Sequence, residues 1–281
     1  MLYHKKKIFI FSSLFALLFL AGCQSDKDDK YEEKPVTELY TKAVKNLKDS
    51  SFKLAAKDFE EVIRQHPYSN YATRAQIMSA YAHYRGQSYE DAVASVNVFI
   101  QLYPAHKDVP YAYYLKGLCY YNQISSVERD QKITETAEHV FKELIQRFPY
   151  STYAKDARLK LDLTREHIAG GHMEIGRFYQ IQHLPIAAVN RFREVVQRYD
   201  RSTHTPEALY RLVEVYLDLG ILKEAQASAV VLGHNFPKGK WYKKAYTLLE
   251  KNKQLPDKND KTIKLSKTWE SATRAPKHNH S

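Results

Sequence analysis

Few residues in this chain of 281 are spaced for chemistry. His167 and His172 stand beside Glu166 and Glu174, residue types that ligate zinc or move protons. A five-residue spacing does not bring both imidazoles to one helical face, as an i, i+4 pair would, and Gly170-Gly171 separates them. Gly170-Gly171-x4-Gly176 lacks both the Lys-Ser/Thr of a phosphate loop and the preceding strand of a dinucleotide site. Glycan cleavage would need a carboxylate pair across a cleft, for which Glu207, Glu214 and Asp218 are the candidates. His278 and His280 are two imidazoles in a solvated tail. No Ser/His/Asp or Cys/His set emerges. The sequence therefore predicts no metal, no cofactor and no enzyme.

Cys23 carries chemistry of another kind. Lys5, Lys6 and Lys7 precede an uncharged run from Ile8 to Leu20, too short to span a bilayer comfortably, and then Leu20-Ala21-Gly22-Cys23. That ending resembles a bacterial lipobox, which implies cleavage of residues 1–22 as a signal peptide and acylation of Cys23. An ordinary signal with an incidental cysteine is the competing reading. Several acyl chains would hold the mature protein stably to a membrane. Gln24, in place of Asp, fits sorting onward to the outer membrane. Cys119 is then the sole remaining thiol, so no internal disulfide forms, and its apolar run Tyr113–Tyr121 marks it as a buried small hydrophobe.

The net charge of +11 is uneven. The signal holds three lysines, and residues 238–281 hold twelve Lys or Arg against four acids, which leaves residues 24–237 neutral. A nucleic-acid-binding body would carry a basic stripe on its folded surface. The balance excludes that class.

The elements that position these residues repeat. Ala55, Ala92, Ala137, Ala188 and Ala225 are each followed twelve positions later by a stop: Pro67, Pro104, Pro149, Asp200 and Pro237. One helical turn after each Ala stand Phe59, Val96, Phe141, Phe192 and Ala229. Small residues let helix backbones approach, and the residue at +4 fills the gap. This phase predicts an all-α solenoid of about five helical hairpins over residues 37–251. Residues 23–36 read as a flexible polar tether and 252–281 as a basic, disordered tail. The first two hairpins are expected at Thr37–Lys48 with Phe52–Gln65 and at Tyr71–Arg85 with Tyr89–Leu102. The third begins with Val109–Asn122, followed by a loop at Gln123–Gln131. An additional helix, Thr152–His167, precedes the fourth hairpin, with Gly170-Gly171 kinking or interrupting the passage. Pro206–Leu219 with Leu222–Asn235 forms the fifth, and Trp241–Lys251 closes the stack.

In phase, the units resemble tetratricopeptide (TPR) repeats, with Ala43, Ala80, Gly117 and Gly176 at the small position of the first helix. The fifth repeat has Val213, which predicts looser packing there. Five such units behind a lipobox are similar to the BamD family of lipoproteins from the bacterial outer-membrane β-barrel assembly machinery. The local wording His66-Pro67-Tyr68-Ser69-Asn70-Tyr71, Phe148-Pro149-Tyr150-Ser151-Thr152-Tyr153 and Ala188-Val189-Asn190-Arg191 agrees, over about Leu39–Leu249. The basic tail is longer than the family pattern.

The resemblance implies a lipid-anchored, periplasm-facing component of the outer membrane. It implies binding to BamA, to the other lipoproteins of that machinery and to unfolded barrel precursors, with no nucleic acid. Carried onto this chain, the TPR groove positions are Tyr40, Arg74, Ile77, Tyr81, Tyr84, Arg85, Tyr111, Tyr114 and Tyr121. Arg177, Gln180, Glu207, Glu214 and Asp218 continue them. The aromatic half suits an extended precursor end with its terminal aromatic and carboxylate, although tyrosine also packs between TPR helices. Arg191 is the implied BamA contact; outside the family it reads as a solvated helix face. A TPR lipoprotein that recruits cell-wall enzymes is the rival function.

Overall fold

A computed structural model describes residues 33–252, so the signal, Cys23, most of the tether and the tail from 253 lie outside the described residues. The described residues form helices only, joined by turns. The hairpins are α1 (Val36–Lys48) with α2 (Phe52–Gln65) and α3 (Asn70–Arg85) with α4 (Tyr89–Leu102). Next come α5 (Val109–Tyr121), α6 (Lys132–Arg147) and α7 (Thr152–Ile181) with α8 (Pro185–Arg198). The last are α9 (Thr205–Asp218), α10 (Leu222–Asn235) and the closing α11 (Lys240–Lys251). Each helix packs on its sequence neighbours, as a solenoid requires.

The turns explain the register. Inside four hairpins the chain reverses through a left-handed residue: Ser50, Gln87, His183 and Gly220 all have φ between 56° and 72°. The following N–H reaches back to a carbonyl of the preceding helix, as in Ser88 N to His83 O (2.9 Å) and Ile221 N to Tyr216 O (2.8 Å). Between repeats, Ser69 and Ser151 cap α3 and α7 by accepting from Ala72 N (3.2 Å) and Ala154 N (3.1 Å).

The repeated Ala and the residue at +4 are buried in every unit. At Gly117 and Gly176 a Cβ would lie 2.4 Å and 2.5 Å from the rings of Phe141 and Phe192, so the facing phenylalanines fit only against glycine. In the fifth unit the volumes are exchanged: Val213 is 0 % exposed and Ala229, where other repeats carry Phe or Val, is 6 % exposed. Both remain in one core cluster, with the larger residue on the first helix and the smaller on the second.

Two further expectations change. The 30-residue α7 runs unbroken through Gly170-Gly171. These glycines admit the loop after α5: a Cβ on Gly171 would lie 3.3 Å from Val127 O, and one on Gly170 would lie 3.2 Å from His204 Nε2. The tether also ends earlier than expected. Lys34 N donates to Gln65 Oε1 (2.8 Å) and Lys34 O meets His66 Nε2 (2.7 Å), which pins the chain to the end of α2.

Candidate functional site

The first helices of consecutive hairpins stand side by side, and their tyrosines converge. Tyr81 and Tyr84 come from α3, Tyr111, Tyr114 and Tyr121 from α5, and Tyr153 from the start of α7; all six are half-buried. The Tyr153 ring lies 5.3 Å from that of Tyr111 and 5.5 Å from that of Tyr114. Asn122 donates to the Tyr84 hydroxyl (3.0 Å), and Tyr114 donates to Asp156 (2.6 Å). Burial, then the neighbouring Tyr81, Tyr153 and Tyr84 phenols, push Tyr111 well above the ordinary tyrosine range. Burial and the bond to Asp156 do the same to Tyr114. Both keep their protons, and the cluster presents partly exposed ring surface, with the Tyr114 hydroxyl committed to Asp156.

Cations edge it. Exposed Arg85 donates to the Tyr81 hydroxyl (2.8 Å) and lies 4.9 Å over Phe52. Lys160 of α7 sits 5.0 Å over Tyr121 and 3.6 Å from Asp156. Arg74 is exposed, 5.9 Å over Tyr40. Tyr40 itself packs in the first core against Phe59 (5.5 Å) and Tyr71 (5.1 Å). Ile77 corrects the expectation: it is 7 % exposed and belongs to the core against which these tyrosines pack. Tyr153, Asp156 and Lys160 were missed, because the lengthened fourth unit hid that α7 begins in the phase of a first helix. The signal was the match of Ser151-Thr152-Tyr153 to Ser69-Asn70-Tyr71.

The other end differs. Glu207 is held by Arg177 (3.0 Å) and Arg211 (3.4 Å), and Glu214 by Arg211 (2.9 Å) and Gln180 (3.3 Å). Burial and Glu214 push Tyr210 up to about 12. Asp218 is exposed at the end of α9. Glu207 and Glu214 are thus bound in an ion network rather than opposed across a cleft, and Asp218 stands outside it. Burial pushes the Cys119 thiol up to about 12, consistent with a packing role.

Arg191, half-buried on α8, faces a shallow cavity of about 520 Å³ with His172, Tyr179 and Glu194. Among the described residues no carboxylate lies within ion-pair distance of it. Burial, then the Arg191 charge, lowers the pKa of His172, which stacks 5.9 Å from Tyr199. His167 is partly buried, and among the described residues no cluster of three or more His, Cys, Asp or Glu is placed to hold a metal. An apolar cavity of about 630 Å³ between α8, α9 and α10, lined by Ile186, Leu209, Leu212 and Tyr216, was also missed. Its residues share the periodicity of a core, so sequence spacing cannot mark them as open.

A family profile described as YfiO, outer membrane lipoprotein, matches residues 32–231. The outer membrane protein assembly factor BamD of Caulobacter vibrioides is 45 % identical over 84 % of this chain and 79 % of its own length. The protein of the same description from Rickettsia prowazekii is 44 % identical over 83 % of this chain and 93 % of its own. That of Neisseria meningitidis serogroup A is 32 % identical over 83 % and 92 %. Among solved structures, the TPR2AB domain of yeast Sti1 in its pHSP90 complex aligns at 13 % identity, covering 84 % of this chain and 91 % of that one, with a TM-score of 0.39.

Proposed function

The chain belongs to the YfiO family of outer membrane lipoproteins, in which the BamD assembly factors fall, and from that premise we propose that it works as a two-ended adaptor in outer-membrane protein assembly. The phenol-lined hollow between α3, α5 and α7 receives the extended end of an unfolded barrel precursor. Ring faces take its terminal aromatic, and the cations at the rim take its carboxylate. The C-terminal repeats dock on BamA through Arg191, whose guanidinium makes no ion pair among the described residues and accepts a carboxylate from the partner. Acylated Cys23 holds the assembly at the periplasmic face of the outer membrane. The adaptor acts without bond chemistry, a reading supported by the arginine-bound state of Glu207 and Glu214.

The convergence of six half-buried tyrosines from three helices carries this reading. A photo-crosslinking residue at Tyr84 or Tyr114, in living cells, is expected to trap barrel precursors. Capture of cell-wall hydrolases or synthases instead would replace it with the rival scaffold.

A further inference from the structure

The solenoid has two edges, one made by the reversals inside hairpins and the other by the turns between repeats. They differ in charge. The turns between repeats, with the chain leading into α1, carry Lys34, Lys107, Arg201 and Lys238 against Glu33, Asp108 and Asp200. The reversals at 49–51, 86–88, 122–131, 182–184 and 219–221 carry one cation, Arg129, against Asp49, Glu128 and Asp130. The first edge is therefore slightly positive and the second negative, so anions are favoured at the first.

They differ also in aromatic display. Tyr68 and Tyr150 hold equivalent places in two of the turns between repeats, and their side chains are 101 % and 100 % exposed. Tyrosine at a turn usually buries its ring; here two rings stand wholly in water on one side. At the start of α11, just after the last such turn, Lys240 and Lys244 lie 5.0 Å and 4.7 Å over the Trp241 ring. Tyrosine and tryptophan among lysines form the composition that favours a membrane–water interface, where the ring meets acyl chain and the polar tip meets headgroup.

The chain arrives at this same edge. Lys34 is fastened to Gln65 and His66 beside Tyr68, and Glu33 lies ten positions after Cys23. Fully extended, such a stretch reaches about 36 Å at most. A lipid on Cys23 thus joins the fold at this edge and keeps it within about 36 Å of the bilayer.

We propose that the edge formed by the turns between repeats lies against the anionic phospholipid headgroups of the membrane. Tyr68 and Tyr150 seat at headgroup depth, and Lys107, Arg201, Lys238 and Lys240 engage lipid phosphate. The inference rests on the acylation of Cys23 but goes beyond it, since a tethered protein can also hang free in solution.

Spin labels on the full lipidated chain test it. Cys23 is consumed by acylation and Cys119 is buried, so a nitroxide reacts with a cysteine introduced as Tyr68→Cys, Tyr150→Cys or, on the opposite edge, Ser88→Cys. All three sites are exposed, and none is needed for packing. On vesicles of phosphatidylethanolamine with phosphatidylglycerol, the oxygen-to-nickel collision ratio is expected to be several-fold higher at 68 and 150 than at 88. Phosphatidylcholine vesicles, or the added changes Lys107→Glu and Lys238→Glu, should lower it. A chain that floats with the vesicles while all three labels report water overturns the inference and leaves the anchor standing. A chain that does not float removes the anchor and the inference with it. Labels at 68 and 150 that lose mobility only when another membrane protein is added would make the edge a protein surface, and also overturn it.

Discussion

The two halves of this solenoid share one hairpin design and solve opposite problems. Toward the N-terminus, Tyr81, Tyr84, Tyr111, Tyr114 and Tyr153 leave ring surface open, with exposed Arg85 beside it. Toward the C-terminus, the corresponding first helices hold Arg177, Glu207, Arg211 and Glu214 already bound to one another. Open phenols suit a ligand of variable sequence, because their area is apolar and loses little rotamer entropy on contact. A closed ion network offers a stranger little and stiffens the stack instead. What this network leaves out is Arg191, the proposed BamA contact, and the apolar cavity between α8, α9 and α10.

The sharpest test of the shared design is at its tightest point. Gly117→Leu in the first half and Gly176→Leu in the second should each destabilise the fold by about 3 kcal/mol, read from denaturant unfolding. A glycine that tolerates leucine would mean that its hairpin does not pack as its counterpart does. Gly117→Ala with Phe141→Val, which copies Ala80 and Val96 of the second repeat, should restore most of the loss.

The division of labour predicts separable defects. Arg191→Glu should cost the BamA interaction on the order of 2 kcal/mol or more and abolish co-purification, while precursor-peptide affinity stays at the wild-type level. Tyr81→Ala with Tyr84→Ala should do the reverse, weakening a peptide with a terminal aromatic carboxylate about tenfold by anisotropy, or ~1.4 kcal/mol. Both defects from either variant would dissolve the distinction between the halves.

The smallest effect is a pH dependence confined to the second half. In the fold, burial and then Arg191 hold His172 below its ordinary value of 6.5, so the unfolded chain binds a proton more readily there. The contribution is complete above pH 6.5 and lost as pH falls through the range below it. Thermal unfolding midpoints of wild type and His172→Gln should therefore converge on acidification. Arg191→Gln should move the His172 titration, followed by NMR, upward.

Most of the scaffold was legible because it rests on short-range rules. Ala55 with Pro67 and its four successors fix helix ends and close approaches, and α1–α4 and α9–α11 fall within a residue or so of expectation. What failed depended on contacts distant in sequence. Gly170-Gly171 reads locally as a break, yet the loop at Val127 and His204 of the next repeat use the space it leaves, so α7 continues. Val213 reads as an intrusion until Ala229 is set beside it. Ile77 and Tyr40 share a periodicity with the groove tyrosines, and only the neighbouring helices decide which of them reach the surface. Arg191 was singled out by family resemblance; nothing in its spacing distinguishes it from Arg193.

One consequence follows from α7 alone. Tyr153, Asp156 and Lys160 near its start belong to the tyrosine hollow, while His172 and Tyr179 near its end border the cavity of Arg191. At 1.5 Å per residue, Tyr153 and His172 stand about 28 Å apart along a single rod. If the proposed assignments hold, the helix meters the gap between captured cargo and docked receiver, and a tug on one is delivered to the other without slack.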